Sequence, residues 1–139
     1  MREKMESHVY KKLREMKIML IDDDELIRDS LALFFRGKGV HLSSFETAEK
    51  GLDELDKNDY DIIIVDYRLP GMDGVEFFKH VREKHQNTVK ILITAYKDHK
   101  VDSEADKAGI QDIIEKPFTS KIIEQALSFR IVEYKKNFA

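Results

Sequence analysis

The sequence predicts an α/β domain in which five parallel strands form a doubly wound sheet covered by five helices. Three observations predict it. Short apolar runs alternate with longer amphipathic ones along the chain. The first, third and fourth runs are apolar without alternation, as strands covered on both faces must be. Each of those three runs, and the fifth, meets a charged or hydroxyl residue at its carboxyl end: Asp22, Asp66, Thr94 and Lys116.

Residues 1–16 form an N-terminal extension, expected to be helical, in which Val9, Leu13 and Met16 follow 4-3 spacing. The domain proper is placed at 17–130. Its first strand is "KIMLI", before Asp22. "ELIRDSLALFFRGKG" sets Leu26, Ile27, Leu31, Phe34 and Phe35 on one broad helical stripe, with Gly37 or Gly39 as C-cap. "VHLSSF", from Val40, alternates and so suits a sheet edge. "TAEKGLDELDKND" begins at a Thr47 N-cap and carries Leu52 and Leu55. "DIIIV" is the third strand. In "GVEFFKHVREKHQ" the inward residues are Val75, Phe77, Phe78 and Val81. "VKILIT" ends at Thr94. The next helix, "DHKVDSEADKAG", has only Val101, Ala105 and Ala108 to bury and should be loosely held. "IQDIIE" precedes Lys116, and a last helix opens at Thr119 or Ser120. Residues 131–139 extend it, and Leu127, Ile131, Tyr134 and Phe138 keep 4-3-4 spacing. The last helix either packs on its own domain with frayed tails, or the two termini form a helical seam, within one chain or between two.

Composition excludes several classes of function. At 139 residues the chain suffices for one core. A net charge of −3 with mixed signs leaves no electrostatic footprint for nucleic acid. The absence of cysteine excludes disulfides, thiol catalysis and Cys-ligated zinc. No apolar run approaches membrane-spanning length, and the N-terminus lacks the apolar core of a signal peptide, so a cytoplasmic location is expected.

"IIIVDYRLPGMDG", residues 62–74, poses the functional question, because a strand fit for burial ends on a carboxylate. Burying an unpaired carboxylate is costly. In open parallel sheets, however, the carboxyl ends of the strands form the ligand-binding crevice. A right-handed crossover that reverses direction once makes the first and third strands neighbours. Asp22, Asp23, Asp24, Asp66, Thr94 and Lys116 then share one mouth. Clustered carboxylates repel one another, and a hard divalent cation such as Mg2+ relieves that repulsion. A carboxylate can also act as a nucleophile and take a phosphoryl group, given positive charge around the transferring oxygens.

Four motifs in order, "IDDDELIR" at 21–28, "IIIVDYRLPGMDG" at 62–74, "ILITAY" at 91–96 and "IIEKPF" at 113–118, resemble the receiver domain of two-component response regulators over about Lys17 to Leu127. The resemblance implies a flavodoxin-like sheet of order 2-1-3-4-5. It implies that Asp66 is the phosphoacceptor, served by a sensor histidine kinase or a histidine phosphotransfer protein. Mg2+ is then held by Asp22, Asp23, Asp66 and the backbone carbonyl of Arg68. Asp24 becomes an N-cap, Thr94 the switch hydroxyl and Lys116 the ion pair to the phosphoryl group, with a cis peptide before Pro117. In one respect the chain departs from the family: the position three before the lysine, often Tyr or Phe, is Ile113. Tyr96 can present an aromatic on the same face. Arg68 and Tyr96 occupy places that tune hydrolysis of the acyl phosphate in receivers, and their size predicts slow self-dephosphorylation.

Output is expected through protein contact at the sparse fourth helix, the fifth strand and the last helix, with a homodimer as a further partner and no direct nucleic acid or membrane binding. The chain ends soon after its last helix, so no output domain is expected within it. A receiver cut from a larger transcriptional regulator, and a phosphate-independent interaction module, are the alternatives. A phosphatase with an aspartate nucleophile would place a general-acid Asp two residues on, where this chain has Arg68. Gly71 and Gly74 read as turn glycines that need φ freedom. The five histidines (His8, His41, His80, His85, His99) lack ligand spacing and read as solvated.

Overall fold

A computed structural model describes residues 2–81 and 84–138, with side chains over 8–81 and 84–131. Strands β1 (Lys17–Ile21), β2 (His41–Phe45), β3 (Ile62–Asp66), β4 (Val89–Thr94) and β5 (Asp112–Glu115) form one parallel sheet of order β2-β1-β3-β4-β5. The alternating second strand lies at an edge, as its pattern predicts. The helices are α1 (Arg2–Leu13), α2 (Glu25–Gly37), α3 (Ala48–Leu55), α4 (Gly74–Val81), α5 (His99–Lys107) and α6 (Ser120–Phe138), so the N-terminal extension adds a sixth to the five of the domain.

Because strand side chains alternate, each sheet face gathers its own core. Ile18, Leu20, Ile62, Ile64, Ile91, Ile93 and Ile114 pack with Leu31 and Phe35 of α2 and Ile123 and Leu127 of α6. Met19, Ile21, Ile63, Val65 and Leu92 pack with Leu55, Phe77, Phe78, Val101 and Ala105 from α3, α4 and α5. Caps start the helices where the chemistry predicts. Asp24 accepts from the Leu26 N–H, Thr47 from Lys50 and Thr119 from Ile122. Gly39, at φ +74°, takes the left-handed turn after α2.

Leu26 departs from its predicted place on the inward stripe of α2 and is 74% exposed. Successive helical residues are ~100° apart. With Leu31 and Phe35 fully inward and Ile27 partly so, Leu26 turns to solvent.

The described side chains of the N-terminal extension pack onto the domain. Val9, Tyr10 and Leu13 are buried in the same core as Ile123, Leu127 and Ile131. The Tyr10 hydroxyl donates to Glu124 on α6 at 2.5 Å, and Arg14 Nε donates to the carbonyl of Lys38 just beyond α2, at 2.9 Å. The two ends thus meet within one chain. Tyr134 and Phe138 of the predicted seam lie outside the described side chains.

Candidate functional site

The sheet delivers three of the expected site side chains to one mouth by simple parity. Asp22, Asp66 and Lys116 each lie two residues beyond a core residue on the same sheet face (Leu20, Ile64 and Ile114). The β1–β3 pairing sets Leu20 beside Ile64, so the two carboxylates emerge as neighbours. Lys116 reaches them from the loop after β5, where its N–H donates to the Thr94 carbonyl at 2.8 Å and its peptide bond to Pro117 is cis.

Lys116 Nζ lies 3.2 Å from Asp22 Oδ2 and 3.2 Å from Asp66 Oδ2. Asp22 is fully buried and Asp66 is 5% exposed, whereas Asp23 is exposed at the rim. Every polar end of Asp22 is engaged. Its N–H donates to the Phe45 carbonyl on β2 (3.1 Å), and its carbonyl accepts from Arg28 Nη1 on α2 (2.8 Å). Its Oδ1 accepts from the Asp24 N–H (2.9 Å), while Oδ2 has the Lys116 ion pair but no hydrogen bond.

Burial raises the pKa of Asp66 to about 6, and the Asp22 charge adds to the rise against the pull of Lys116. Burial raises Asp22 as well, opposed by the Asp24 N–H and by Lys116. For Lys116 burial acts downward, but the two carboxylates outweigh it and the pKa is raised. One ammonium therefore incompletely offsets two buried carboxylates.

Ligand oxygens from Asp22, Asp23 and Asp66 all lie within 4.8 Å of one another. Three hard carboxylate donors, one with a buried oxygen lacking any hydrogen bond, match the needs of Mg2+.

Thr94 is buried but follows the opposite parity, two residues on from Leu92. Its hydroxyl accepts from the Tyr96 N–H at 2.9 Å, and among the described residues no hydrogen bond joins it to the acidic group. The Arg68 guanidinium lies 4.3 Å from the centre of the Tyr96 ring, a cation–π contact joining the loop after β3 to that after β4. Tyr67, next to Asp66, donates from its hydroxyl to Glu104 on α5 at 3.3 Å. Ile113 is partly buried against the α3–α5 core. Asp24 stays outside the acidic group as a helix cap.

The two glycines of the loop differ. Gly71, at φ +78°, needs the left-handed region. Gly74 has no positive φ. A Cβ there would lie 2.5 Å from the Asp66 carbonyl oxygen and 2.8 Å from Leu92 Cδ1, so close approach and not φ freedom demands glycine. Sequence reasoning missed this, together with Arg28 and with Glu49, which accepts from the Met72 N–H and ties α3 to the loop. Arg28 stands inside the "IDDDELIR" motif, but nothing in that pattern shows its acceptor to be a main-chain carbonyl.

The model of the response regulator receiver domain matches residues 18–128. The chain belongs to this family. The receiver is 34% identical over 101 residues to the transcriptional regulatory protein FixJ of Bradyrhizobium diazoefficiens, covering 73% of this chain and 49% of that protein. It is 31% identical to the regulatory protein VanR of Enterococcus faecium, with coverages of 86% and 52%. A cyclic di-GMP phosphodiesterase of Thermotoga maritima is 29% identical, covering 88% of this chain but 34% of its own. The receiver thus spans between about a fifth and just over half of the length of the curated relatives it matches. Among solved structures, a CheY-like receiver domain protein of Methanospirillum hungatei shares the fold at TM-score 0.83 and 24% identity, covering 88% of this chain and 98% of that one. The BeF3-activated DrrB receiver domain superposes at TM-score 0.71 and 26% identity, with coverages of 87% and 97%. Receivers are signalling domains that bind Mg2+ at an acidic pocket and interact with histidine kinases or phosphotransfer proteins. No helix among the described residues is long and apolar enough to cross a membrane.

Proposed function

We propose that this receiver accepts a phosphoryl group on Asp66 from a phosphohistidine of a sensor kinase or phosphotransfer protein. The carrying observation is the shared ammonium: Lys116 stands 3.2 Å from both Asp66 and Asp22, beside three convergent carboxylates. An Asp66 carboxylate oxygen attacks phosphorus, the imidazole N–P bond breaks, and the electron pair returns to the imidazole nitrogen. Asp22, Asp23, Asp66 and the Arg68 carbonyl would hold Mg2+, which supplies charge neutralisation for the phosphoryl oxygens. Lys116 pairs with the transferred group once Asp66 has become an acyl phosphate. Burial of Asp22 and Asp66 keeps water from competing with these charges.

The Thr94 hydroxyl gives up its contact with the Tyr96 N–H to donate to a phosphoryl oxygen. Thr94 and Tyr96 are linked at 2.9 Å, so that exchange disturbs the Arg68–Tyr96 contact. With Ile113 in place of an inner aromatic, Tyr96 carries the change to the surface. Ile122 and Phe129, both exposed on α6 and seven residues apart, offer apolar surface on that helix to a protein target or a second copy. Arg68 and Tyr96 together obstruct water and slow loss of the phosphoryl group.

Incubation with acetyl phosphate and Mg2+, followed by intact mass measurement, tests the reading. One phosphoryl increment is expected for the parent and none for Asp66→Asn. A parent without the increment, or an Asn variant that gains it, overturns the assignment.

A further inference from the structure

Asp23 is an exposed side chain that must nevertheless point at two buried ones. Among the described residues no hydrogen bond or ion pair holds its carboxylate, so the backbone on either side sets the direction of its Cα–Cβ bond and hence which staggered rotamers bring the carboxylate to the site. Both flanking peptide groups are clamped. The peptide after Asp23 is held through its N–H, which Asp24 donates to Asp22 Oδ1 at 2.9 Å. The peptide before it is held through its carbonyl, where Asp22 O accepts from Arg28 Nη1 at 2.8 Å. With both planes fixed, φ and ψ of Asp23 are fixed. The first clamp belongs to the acidic site itself. The second comes from α2, whose Arg28 is partly buried and six residues beyond Asp22.

We infer that Arg28 is a positioning residue of this site: by holding the Asp22 carbonyl it orients the Asp22–Asp23 peptide and so aims the Asp23 carboxylate toward Asp22 and Asp66. This rests on the Mg2+-binding reading above. Arg28 touches none of the reacting atoms. Its own charge works against that task, since a guanidinium near a divalent-cation site repels the ion. Positioning and electrostatics therefore predict opposite signs, and this makes the role testable.

Mg2+ titration by calorimetry, on the full chain at neutral pH, compares the parent with Arg28→Ala and Arg28→Lys. Positioning predicts weaker binding by Arg28→Ala, about tenfold, as for other residues that orient metal ligands from outside the coordination shell. It also predicts partial recovery by Arg28→Lys, which keeps a donor of similar reach. Amide shifts of Asp23 and Asp24 in the Mg2+-free Ala variant should move, while those of the β3 core stay, a pattern that global destabilisation would not give. If the parent binds Mg2+ and Arg28→Ala binds it equally or more tightly, the positioning role is overturned and the acidic site stands. If the parent itself binds no Mg2+, the reading of the site falls and the role falls with it.

Discussion

Asparagine at position 66 keeps the shape of the side chain and removes its charge. In the folded protein the Asp66 pKa is raised from 3.8 to about 6 by burial and by Asp22. A group that holds its proton more tightly when folded makes stability fall as pH rises from the unfolded value to the folded one. Above about pH 6 the full penalty is present; below about pH 4 it is absent. The difference of about 2 pKa units corresponds to about 3 kcal/mol. Without Mg2+, Asp66→Asn should therefore be more stable than the parent by up to about 3 kcal/mol near pH 7, the two converging near pH 4. In urea this moves the midpoint upward by about 1–2 M for a chain of this size. Mg2+ should stabilise the parent and narrow the gap, by about 2.7 kcal/mol at a hundred times its Kd. An Asn variant no more stable than the parent at neutral pH would refute the reasoning. So would an advantage that persists unchanged into acid.

Other perturbations probe the supports of the site. Gly74→Ala forces a methyl against the Asp66 carbonyl and Leu92, and should cost about 1–3 kcal/mol in urea denaturation. It should also slow phosphoryl uptake because the Asp66 backbone must shift. Leu13→Ala, at a fully buried position between the two ends of the chain, should cost about 2–5 kcal/mol; a surface-like loss of a few tenths would mean that α1 is not part of the core. Arg68→Ala removes the contact with Tyr96 and should shorten the lifetime of the phosphorylated protein severalfold, followed by decay of the phosphoryl mass; an unchanged decay would dismiss the obstruction of water.

Much of the fold is legible because it is written in local pattern. Run-on apolar strands, the amphipathic stripes and the caps at Asp24, Thr47 and Thr119 depend on residues a few positions apart. The acidic mouth is legible for a related reason. Parallel order sends every strand's carboxyl end to one edge, so residues far apart in sequence can be placed together by counting strands. Lys90 marks where this reading stops. It lies in a strand that is otherwise apolar up to Thr94 and is 4% exposed, its ammonium donating to the carbonyls of His85 and Thr88 at 2.8 and 3.1 Å. Only the path of the loop before β4 brings those acceptors within reach.

What the sequence determined by itself was the order of elements, the two-sided burial of the central strands, and which chemical groups end at the crevice. All three follow from periodicity and chain direction. The tertiary structure decided the rest: that Lys116 bridges Asp22 and Asp66, that Gly74 must yield to the Asp66 carbonyl, that Leu26 turns outward and that α1 closes against α6. It also gave Arg28 a main-chain acceptor. These depend on distances of a few ångströms between segments separated along the chain, which exist only after packing has chosen one arrangement.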